Sequence, residues 1–269
     1  MKIIHHVGLN ATKALKKEFF KAGIRLETDP KSFLDIAAFD ICEHDNRWFE
    51  IHKLMKKYDI TYLTKTKFTL KEKKLAKNLE MIPTWYHGYP EPSDDFSYRE
   101  TTYDIKMYCK ECGSGKVQNA PYRLKKEPRW GRRGIMQLNW IFDEFFVRPE
   151  VWAHIFKPFD IKCREVLHIK TGKKLETVVQ LIIPQEDVEL NLDEYLSETC
   201  TKCNVKRYLP INRGFMPSLK TPVNRPIFKS KEYFGSGHSS TKAVIVSNEL
   251  FKSINEKKLK GVDFKPLKQ

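Results

Sequence analysis

The sequence contains no long apolar run. None of its hydrophobic stretches approaches the roughly 20 residues that a membrane-spanning helix needs. Its opening segment, MKIIHHVGLNATKALKK, also holds too short an apolar stretch for a secretory signal peptide. These two absences lead us to expect a soluble, cytoplasmic protein that makes no membrane contact.

The sequence also lacks the common catalytic motifs. Its eight histidines show neither the H-E-x-x-H pattern nor a comparable metal-ligand spacing. The turn from Gly235 to Ser240 is rich in glycine and serine, but it lacks the lysine and the preceding strand of a phosphate-binding P-loop. Asp143 and Glu144 lie in a hydrophobic run, where burial would raise a carboxylate pKa, although they could equally pair with arginine or face the solvent. No reaction follows from these residues.

The composition is that of a globular protein with a strong positive charge. Of the 269 residues, 41% are hydrophobic and 31% are charged, and the charged residues are spread along the chain, which argues against a disordered protein. The formal net charge of +15 favours association with an acidic macromolecule, either a protein or a nucleic acid. Charge alone does not indicate a fold.

Four of the six cysteines form two C-x-x-C pairs, namely Cys109 with Cys112 and Cys200 with Cys203. In a reducing compartment such pairs indicate metal binding rather than disulfides. Each C-x-x-C turn directs two thiolates to one point, so that two turns complete a tetrahedral shell that leaves no open position for substrate. This pattern predicts a structural Zn²⁺. Two unrelated pairs, or one redox-active pair, are the alternatives, and Cys42 and Cys163 are expected to be plain buried thiols.

The character of the chain changes along its length and divides it into three parts. We expect a helix-rich N-terminal subdomain over residues 1–82 and a connecting loop, rich in proline and aromatic residues, over residues 83–108. A zinc-clamped α/β domain with a β-hairpin is expected over residues 109–269. The predicted fold class is therefore mixed α+β.

Capping and turn signals predict individual elements. Thr69, with a glutamate three residues later, forms a capping box, and together with the apolar spacing of residues 48–58 it favours helices over most of residues 10–80. The segments REVLHIK and LETVVQLII on either side of TGKK predict a β-hairpin. KAVIV is a predicted strand, Ser247 is expected to cap the helix that follows it, and VDFKPL predicts a last strand.

Positive charge is concentrated after each C-x-x-C pair, whereas residues 81–108 and 136–200 are net acidic. If a metal ion joins the two pairs, the basic residues that follow them should lie near one another. Aromatic residues are interleaved with them, as stacking on nucleic acid would require. The predicted contacts with a nucleic acid or an acidic protein are Arg123, Lys125, Lys126, Arg129, Trp130, Arg132, Arg133, Lys206, Arg207 and Arg213. A solvated face without a partner is the alternative.

The connecting loop contains an aromatic segment with three candidate ligand-binding residues, Trp85, His87 and Tyr89. Large aromatic side chains stay exposed mainly at binding sites, and prolines reduce the entropy lost when such a segment becomes ordered. The segment is therefore expected to be packed between the two larger parts or to line a groove for a ligand or a partner.

The two C-x-x-C pairs, the glycine after Cys112 and the ending KAVIVSNELFKSINEKKLKGVDFKPL resemble the double-CXXCG motif family of bacterial proteins. Several members of that family are regarded as immunity proteins, which neutralise a cognate toxin. The second pair departs from the motif, since Asn204 stands where the family has glycine. The resemblance implies metal-ligand roles for the four paired cysteines and implies no catalytic residue.

These observations support three functional hypotheses. The leading one is a non-catalytic, zinc-stabilised binding protein, immunity-like in that it binds and neutralises a protein toxin. The first alternative is a nucleic-acid-binding protein that uses the basic residues flanking the C-x-x-C pairs. The second alternative is an enzyme of unspecified reaction with a site between the two larger parts.

Overall fold

The structure is a computed structural model that describes residues 1–28 and 35–269. Across these residues, six α-helices combine with four β-sheets, which confirms the predicted mixed α+β class. None of the helices in the described ranges is long and apolar enough to cross a membrane.

The chain forms two compact units. Unit 1 comprises Met1–Glu72 and Ile211–Gly214, and unit 2 comprises Lys73–Pro210 and Phe215–Gln269. The predicted domain division at residues 82 and 108 stays a prediction.

Unit 1 is built on a three-stranded antiparallel sheet. Its elements are β1 (Lys2–Asn10), α1 (Lys13–Lys21), β2 (Ile36–Cys42), α2 (Trp48–Lys57) and β3 (Tyr62–Lys67). β1 is central and pairs with β2 on one side and β3 on the other. Alternate residues of β1 are buried because successive side chains of a strand point to opposite faces. Among them, Val7 belongs to one hydrophobic core with Phe19 of α1 and Ile51 of α2.

The predicted helices over most of residues 10–80 are only partly correct. α1, α2 and α3 (Leu70–Leu75) are helical, whereas β2 and β3 are strands. The predicted capping box before α3 is confirmed, since the Glu72 N–H donates to Thr69 Oγ1 at 3.2 Å and the Thr69 N–H donates to the Glu72 carboxylate at 2.7 Å. The two strands form because β1 offers backbone hydrogen-bonding groups along both of its edges. This pairing joins segments that are distant in the sequence, so the spacing of apolar residues within one segment does not predict it.

Unit 2 contains the remaining elements. Its strands are β4 (Asn78–Pro83), β5 (Tyr103–Asp104), β6 (Val117–Gln118), β7 (Arg123–Leu124), β8 (Ile135–Met136), β9 (Phe146–Val147), β10 (Cys163–His168), β11 (Lys174–Leu181), β12 (Ser197–Thr199), β13 (Lys206–Tyr208), β14 (Ile227–Phe234), β15 (Thr241–Ser247) and β16 (Val262–Pro266). Its further helices are α4 (Tyr98–Thr102), α5 (Pro149–Val151) and α6 (Asn248–Glu256).

The sheets of unit 2 confirm several local predictions. A five-stranded sheet has the order β7-β10-β11-β9-β8, and β10 and β11 form the predicted antiparallel hairpin, with Cys163 opposite Leu181. A six-stranded sheet has the order β12-β13-β14-β15-β4-β16, and β5 pairs with β6 separately. β15, α6 and β16 are the predicted strand, helix and last strand, and the Ser247 hydroxyl caps α6 by accepting the Leu250 N–H at 3.3 Å.

Two hydrophobic cores stabilise unit 2. One joins the six-stranded sheet to α6 and β11 through residues such as Leu79, Ile227 and Phe251. The other lies around β7 and β10 and includes Tyr122 and Trp130, with Trp85 packed against it. The buried residues of both cores come from the densest apolar runs of the sequence. Each Å² of apolar surface removed from water stabilises the fold by about 25 cal/mol, which favours burial of these runs.

Candidate functional site

The first C-x-x-C turn is a tight loop that depends on a glycine. The Cys109 N–H donates to the Ser114 carbonyl at 2.9 Å, and the Gly113 N–H donates to the Cys109 carbonyl at 2.7 Å. Gly113 has a φ of +79°, and a Cβ at this position would lie 2.4 Å from the His238 carbonyl oxygen. Glycine is therefore required here both by the backbone conformation and by the close approach of the neighbouring chain.

The second turn has the same backbone design without glycine. The Cys200 N–H donates to the Val205 carbonyl at 3.0 Å, and the Asn204 N–H donates to the Cys200 carbonyl at 2.9 Å. Asn204 has a φ of +59°, in the left-handed region. Asparagine tolerates this region better than most residues, so it takes the place that glycine has in the first turn.

The two turns bring their four sulfur atoms together, as the sequence predicts. Cys109 Sγ lies 3.8 Å from Cys200 Sγ. Cys112 Sγ lies 3.5 Å from Cys203 Sγ, and all four sulfur atoms lie within 4.8 Å of one another. These separations far exceed a disulfide bond of about 2.05 Å. They match the spacing of about 3.8 Å expected between thiolates arranged tetrahedrally at about 2.3 Å from one zinc ion.

The electrostatics of the four-cysteine cluster favour a cation. Burial disfavours ionisation of Cys112, but hydrogen bonds from the hydroxyl and the N–H of Ser114 outweigh it and lower the pKa of Cys112 to about 6. Backbone N–H groups of Lys202 and Cys203 lower the pKa of Cys200. The N–H of Cys112 favours the Cys109 thiolate, yet burial and the adjacent thiols raise the pKa of Cys109 to about 11. Four thiols this close can all ionise only if a positive ion compensates their charge.

A buried arginine links the first C-x-x-C turn to a neighbouring turn of the chain. Arg207, which is only 6% exposed, donates to the carbonyls of Gly237 at 2.6 Å and Ser239 at 3.3 Å and approaches that of Cys112 at 3.4 Å. The Ser240 hydroxyl also donates to the Cys112 carbonyl, at 2.6 Å. The glycine- and serine-rich turn after β14 thus packs on the first C-x-x-C turn. The Arg207 guanidinium is thus held by backbone carbonyls and lies 3.5 Å from the Glu198 carboxylate, and its predicted contact with a partner stays a prediction.

The basic segment after the first turn lies against the aromatic loop. The Lys125 ammonium is 3.1 Å from the Glu91 carboxylate, and the Arg129 N–H donates to His87 Nε2 at 3.4 Å. The Arg133 guanidinium lies 4.9 Å from the centre of the Trp85 ring. We call residues 85–89 and 123–133 together the basic–aromatic surface. In the structure, the predicted basic residues after the first C-x-x-C turn thus lie next to the predicted aromatic segment, although the two were predicted as separate sites.

Several predicted binding residues have a packing role or a partner of their own. Trp130 is 6% exposed, donates its indole N–H to the Thr177 carbonyl at 2.9 Å and contacts Trp85 edge-on. Its predicted contact with a partner stays a prediction. Trp85 is half-buried and stacks on His87, while Tyr89 stays 46% exposed and contacts Trp140 at 4.5 Å between ring centres.

The remaining basic candidates are dispersed. Arg123 lies half-buried on β7, and its guanidinium donates to the Thr101 carbonyl at 3.3 Å. Lys206 is exposed on β13, with its ammonium 5.0 Å from the Tyr208 ring centre. Arg213 belongs to unit 1, where its guanidinium pairs with the Glu43 carboxylate at 2.9 Å. Its predicted contact with an acidic partner stays a prediction.

Asp143 and Glu144 fit the structural alternative. Glu144 is buried and forms an ion pair with Lys229, and Asp143 lies 3.9 Å from the same ammonium. Sequence reasoning missed the cavity of about 480 Å³ that these residues line. The sequence offered one signal for this cavity, namely lysine within apolar segments that form strands, such as Lys229 in IFKSKEYF.

Comparisons of the chain with protein-family models, with curated proteins and with solved structures find no match. The four-cysteine cluster is consistent with a pair of C-x-x-C motifs, and these comparisons identify no family.

Proposed function

We propose that the protein is a zinc-stabilised binding protein that uses its basic–aromatic surface to bind an acidic partner. The first half of this proposal rests on the convergence of four cysteine sulfur atoms from two distant segments to within 4.8 Å of one another. Thiolate ligands in this arrangement suit Zn²⁺, and a closed shell of four gives the ion a structural role. The bound ion would tie the turn before β6 to the turn between β12 and β13.

Metal analysis tests this half directly. The purified protein is expected to contain one zinc per chain, and Cys112→Ser is expected to lose it. Cys42→Ser is the matched control, because Cys42 lies on β2 of unit 1, outside the four-cysteine cluster. A metal-free parent protein, or equal zinc contents in the two variants, would contradict the proposal.

The second half is supported by unpaired charge beside exposed rings. Lys126, Arg129 and Arg132 are exposed, and none of them forms an ion pair with another residue that the structure describes. Burial, and to a smaller extent the charges of Lys126 and Arg129, lower the pKa of His87. Tyr86, which precedes His87 in the chain, is 43% exposed. Cations next to accessible aromatic rings suit single-stranded nucleic acid, which offers phosphates and bases for stacking.

Fluorescence anisotropy with a labelled single-stranded RNA of mixed sequence tests this half. We expect binding that weakens steeply as salt rises, since phosphate contacts release counterions. Arg129→Glu should weaken binding about tenfold or more. Lys252→Glu, an equal charge change on α6, should have little effect. If the parent protein binds no RNA at low salt, the nucleic-acid partner is wrong, and an acidic protein, such as the toxin expected from the family resemblance, becomes the candidate.

A further inference from the structure

A cavity of about 480 Å³ lies within unit 2, directly beside the four-cysteine cluster. Gly113 and Ser240, which form part of the support of the first C-x-x-C turn, also line the cavity. Its volume falls in the range of about 300–1,000 Å³ that is typical of small-molecule sites. The function proposed above does not use this cavity.

The two acidic groups of the cavity share one close lysine partner. Lys229 forms an ion pair with Glu144, and Glu144 also accepts the amide of Gln180 at 3.1 Å. The second carboxylate, Asp143, lies 3.9 Å from the Lys229 ammonium and accepts the backbone N–H of Lys242 at 3.2 Å. Lys229 therefore balances one of the two carboxylates, and the five lysine and arginine residues of the lining still outnumber its two carboxylates.

Four further cations of the lining have no carboxylate partner among the described residues: Arg99, Lys116, Arg164 and Lys242. The Arg99 Nε and the Arg164 Nη1 are buried without a hydrogen-bond partner in this part of the chain. Burial lowers the pKa of Lys116 and lowers that of Lys242 to about 8. Uncompensated positive charge in a buried setting is costly, and a bound anion would relieve that cost.

Aromatic side chains form one wall of the cavity. Trp140 and Phe96 contact each other, with their ring centres 4.6 Å apart, and both line the space. Both have left-handed backbone conformations, with φ of +69° at Trp140 and +57° at Phe96. Such conformations cost about 1–3 kcal/mol each in bulky residues and cluster at ligand sites. Phe142, also in the lining, is 46% exposed.

We infer that this cavity binds a phosphorylated aromatic compound of mononucleotide size. The phosphate would contact the guanidinium groups of Arg99 and Arg164 and the ammonium group of Lys116. The ring would pack against Trp140, Phe96 and the exposed ring of Phe142. The excess of cations in the lining favours a phosphate dianion, since one guanidinium group can donate two hydrogen bonds to a phosphate. Flat rings stack on the aromatic wall.

Isothermal titration calorimetry of the full-length protein tests the inference, with AMP and UMP as probes. Adenosine and uridine supply the ring without the phosphate, and inorganic phosphate supplies the anion without the ring. We expect at least one mononucleotide to bind once per chain and at least about tenfold more tightly than either of its parts. The inference is overturned if neither mononucleotide binds below about 1 mM, or if a nucleoside or inorganic phosphate alone binds as tightly.

Two variants locate the site. Arg164→Gln is expected to weaken mononucleotide binding about tenfold or more, whereas Arg132→Gln on the basic–aromatic surface should leave it unchanged. Phe142→Ala removes an exposed ring, so the protein should stay folded while mononucleotide binding weakens and inorganic phosphate binding does not. Parent-like mononucleotide affinity in both Arg164→Gln and Phe142→Ala would place the ligand elsewhere and refute the assignment. Because these tests use neither RNA nor metal removal, their failure is distinct from failure of the proposed function.

Discussion

The two C-x-x-C turns share a backbone design but differ in how they are supported. The first turn is enclosed, since Cys112 is fully buried and its carbonyl accepts hydrogen bonds from Ser240 and Arg207. The second turn joins two short strands at the edge of the six-stranded sheet, and the outer of them, β12, is exposed at every residue. From this difference we expect the core of unit 2 to hold the first turn in place, and the second turn to depend more on a bound metal ion.

Of the changes considered, removal of the metal should distinguish the two C-x-x-C turns most clearly. We expect chelation to lower the free energy of unfolding of unit 2 by several kcal/mol, because structural zinc binding contributes directly to folding. Hydrogen exchange should then speed up more across residues 197–208 than across residues 109–114. Equal loss of protection at both turns would show that the first turn also needs the metal to keep its structure.

Gly113→Ala should have the next largest effect. The added Cβ meets the His238 carbonyl oxygen at 2.4 Å and forces a non-glycine residue into a φ of +79°. We expect a loss of about 2–4 kcal/mol in the free energy of unfolding, measured by denaturant titration of the zinc-loaded protein. Gly131→Ala is the control, because Gly131 also has a positive φ but open space around its Cβ position. A similar loss in both variants would mean that the clash contributes nothing.

Arg207→Met, compared with Lys206→Met, tests whether a buried cation stabilises the first C-x-x-C turn more than an exposed one does. The change leaves backbone carbonyls of the turn after β14 without their donor, so we expect a loss of about 2–3 kcal/mol in unfolding free energy. Lys206→Met, at the exposed neighbouring position, should change stability by less than about 0.5 kcal/mol. Thermal unfolding of the two variants side by side measures the contrast. A Lys206→Met loss equal to that of Arg207→Met would contradict it.

Asn204→Gly should have the smallest effect. Glycine adopts the left-handed conformation without strain, but it also increases the entropy of the unfolded chain, so we expect a change within about 1 kcal/mol and an unchanged zinc content. Asn204→Val, with a β-branched side chain in the same conformation, should cost more. Zinc stoichiometry and chemical denaturation of both variants decide the point. Loss of zinc in Asn204→Gly would show that the asparagine side chain itself holds the turn.

Local features of the fold could be predicted from the sequence, and non-local ones could not. The β10–β11 hairpin, the Ser247 cap and the capping box at Thr69 each depend on residues within a few positions of one another. β2 and β3 were missed because both exist only through pairing with β1.

The candidate site shows the same limit. C-x-x-C spacing indicates which sulfur atoms can share an ion, since each turn fixes its own geometry. Lysine and arginine carry no comparable signal: Arg129 is exposed, Arg207 is enclosed by carbonyls, and Lys229 is paired inside a cavity. Which environment each cation occupies depends on strand order, and that order is set by contacts between distant segments.

The place of β4 in the six-stranded sheet has a consequence for biosynthesis. β4 lies between β15 and β16, with Ile82 opposite Asp263 and Leu79 opposite Val246, so both of its neighbours are encoded more than half the chain later. During translation, β4 therefore leaves the ribosome with two unpaired edges and stays unpaired while the segments up to β15 are made. The sheet closes only when β16 has emerged, and until then the nascent chain is exposed to edge-to-edge association.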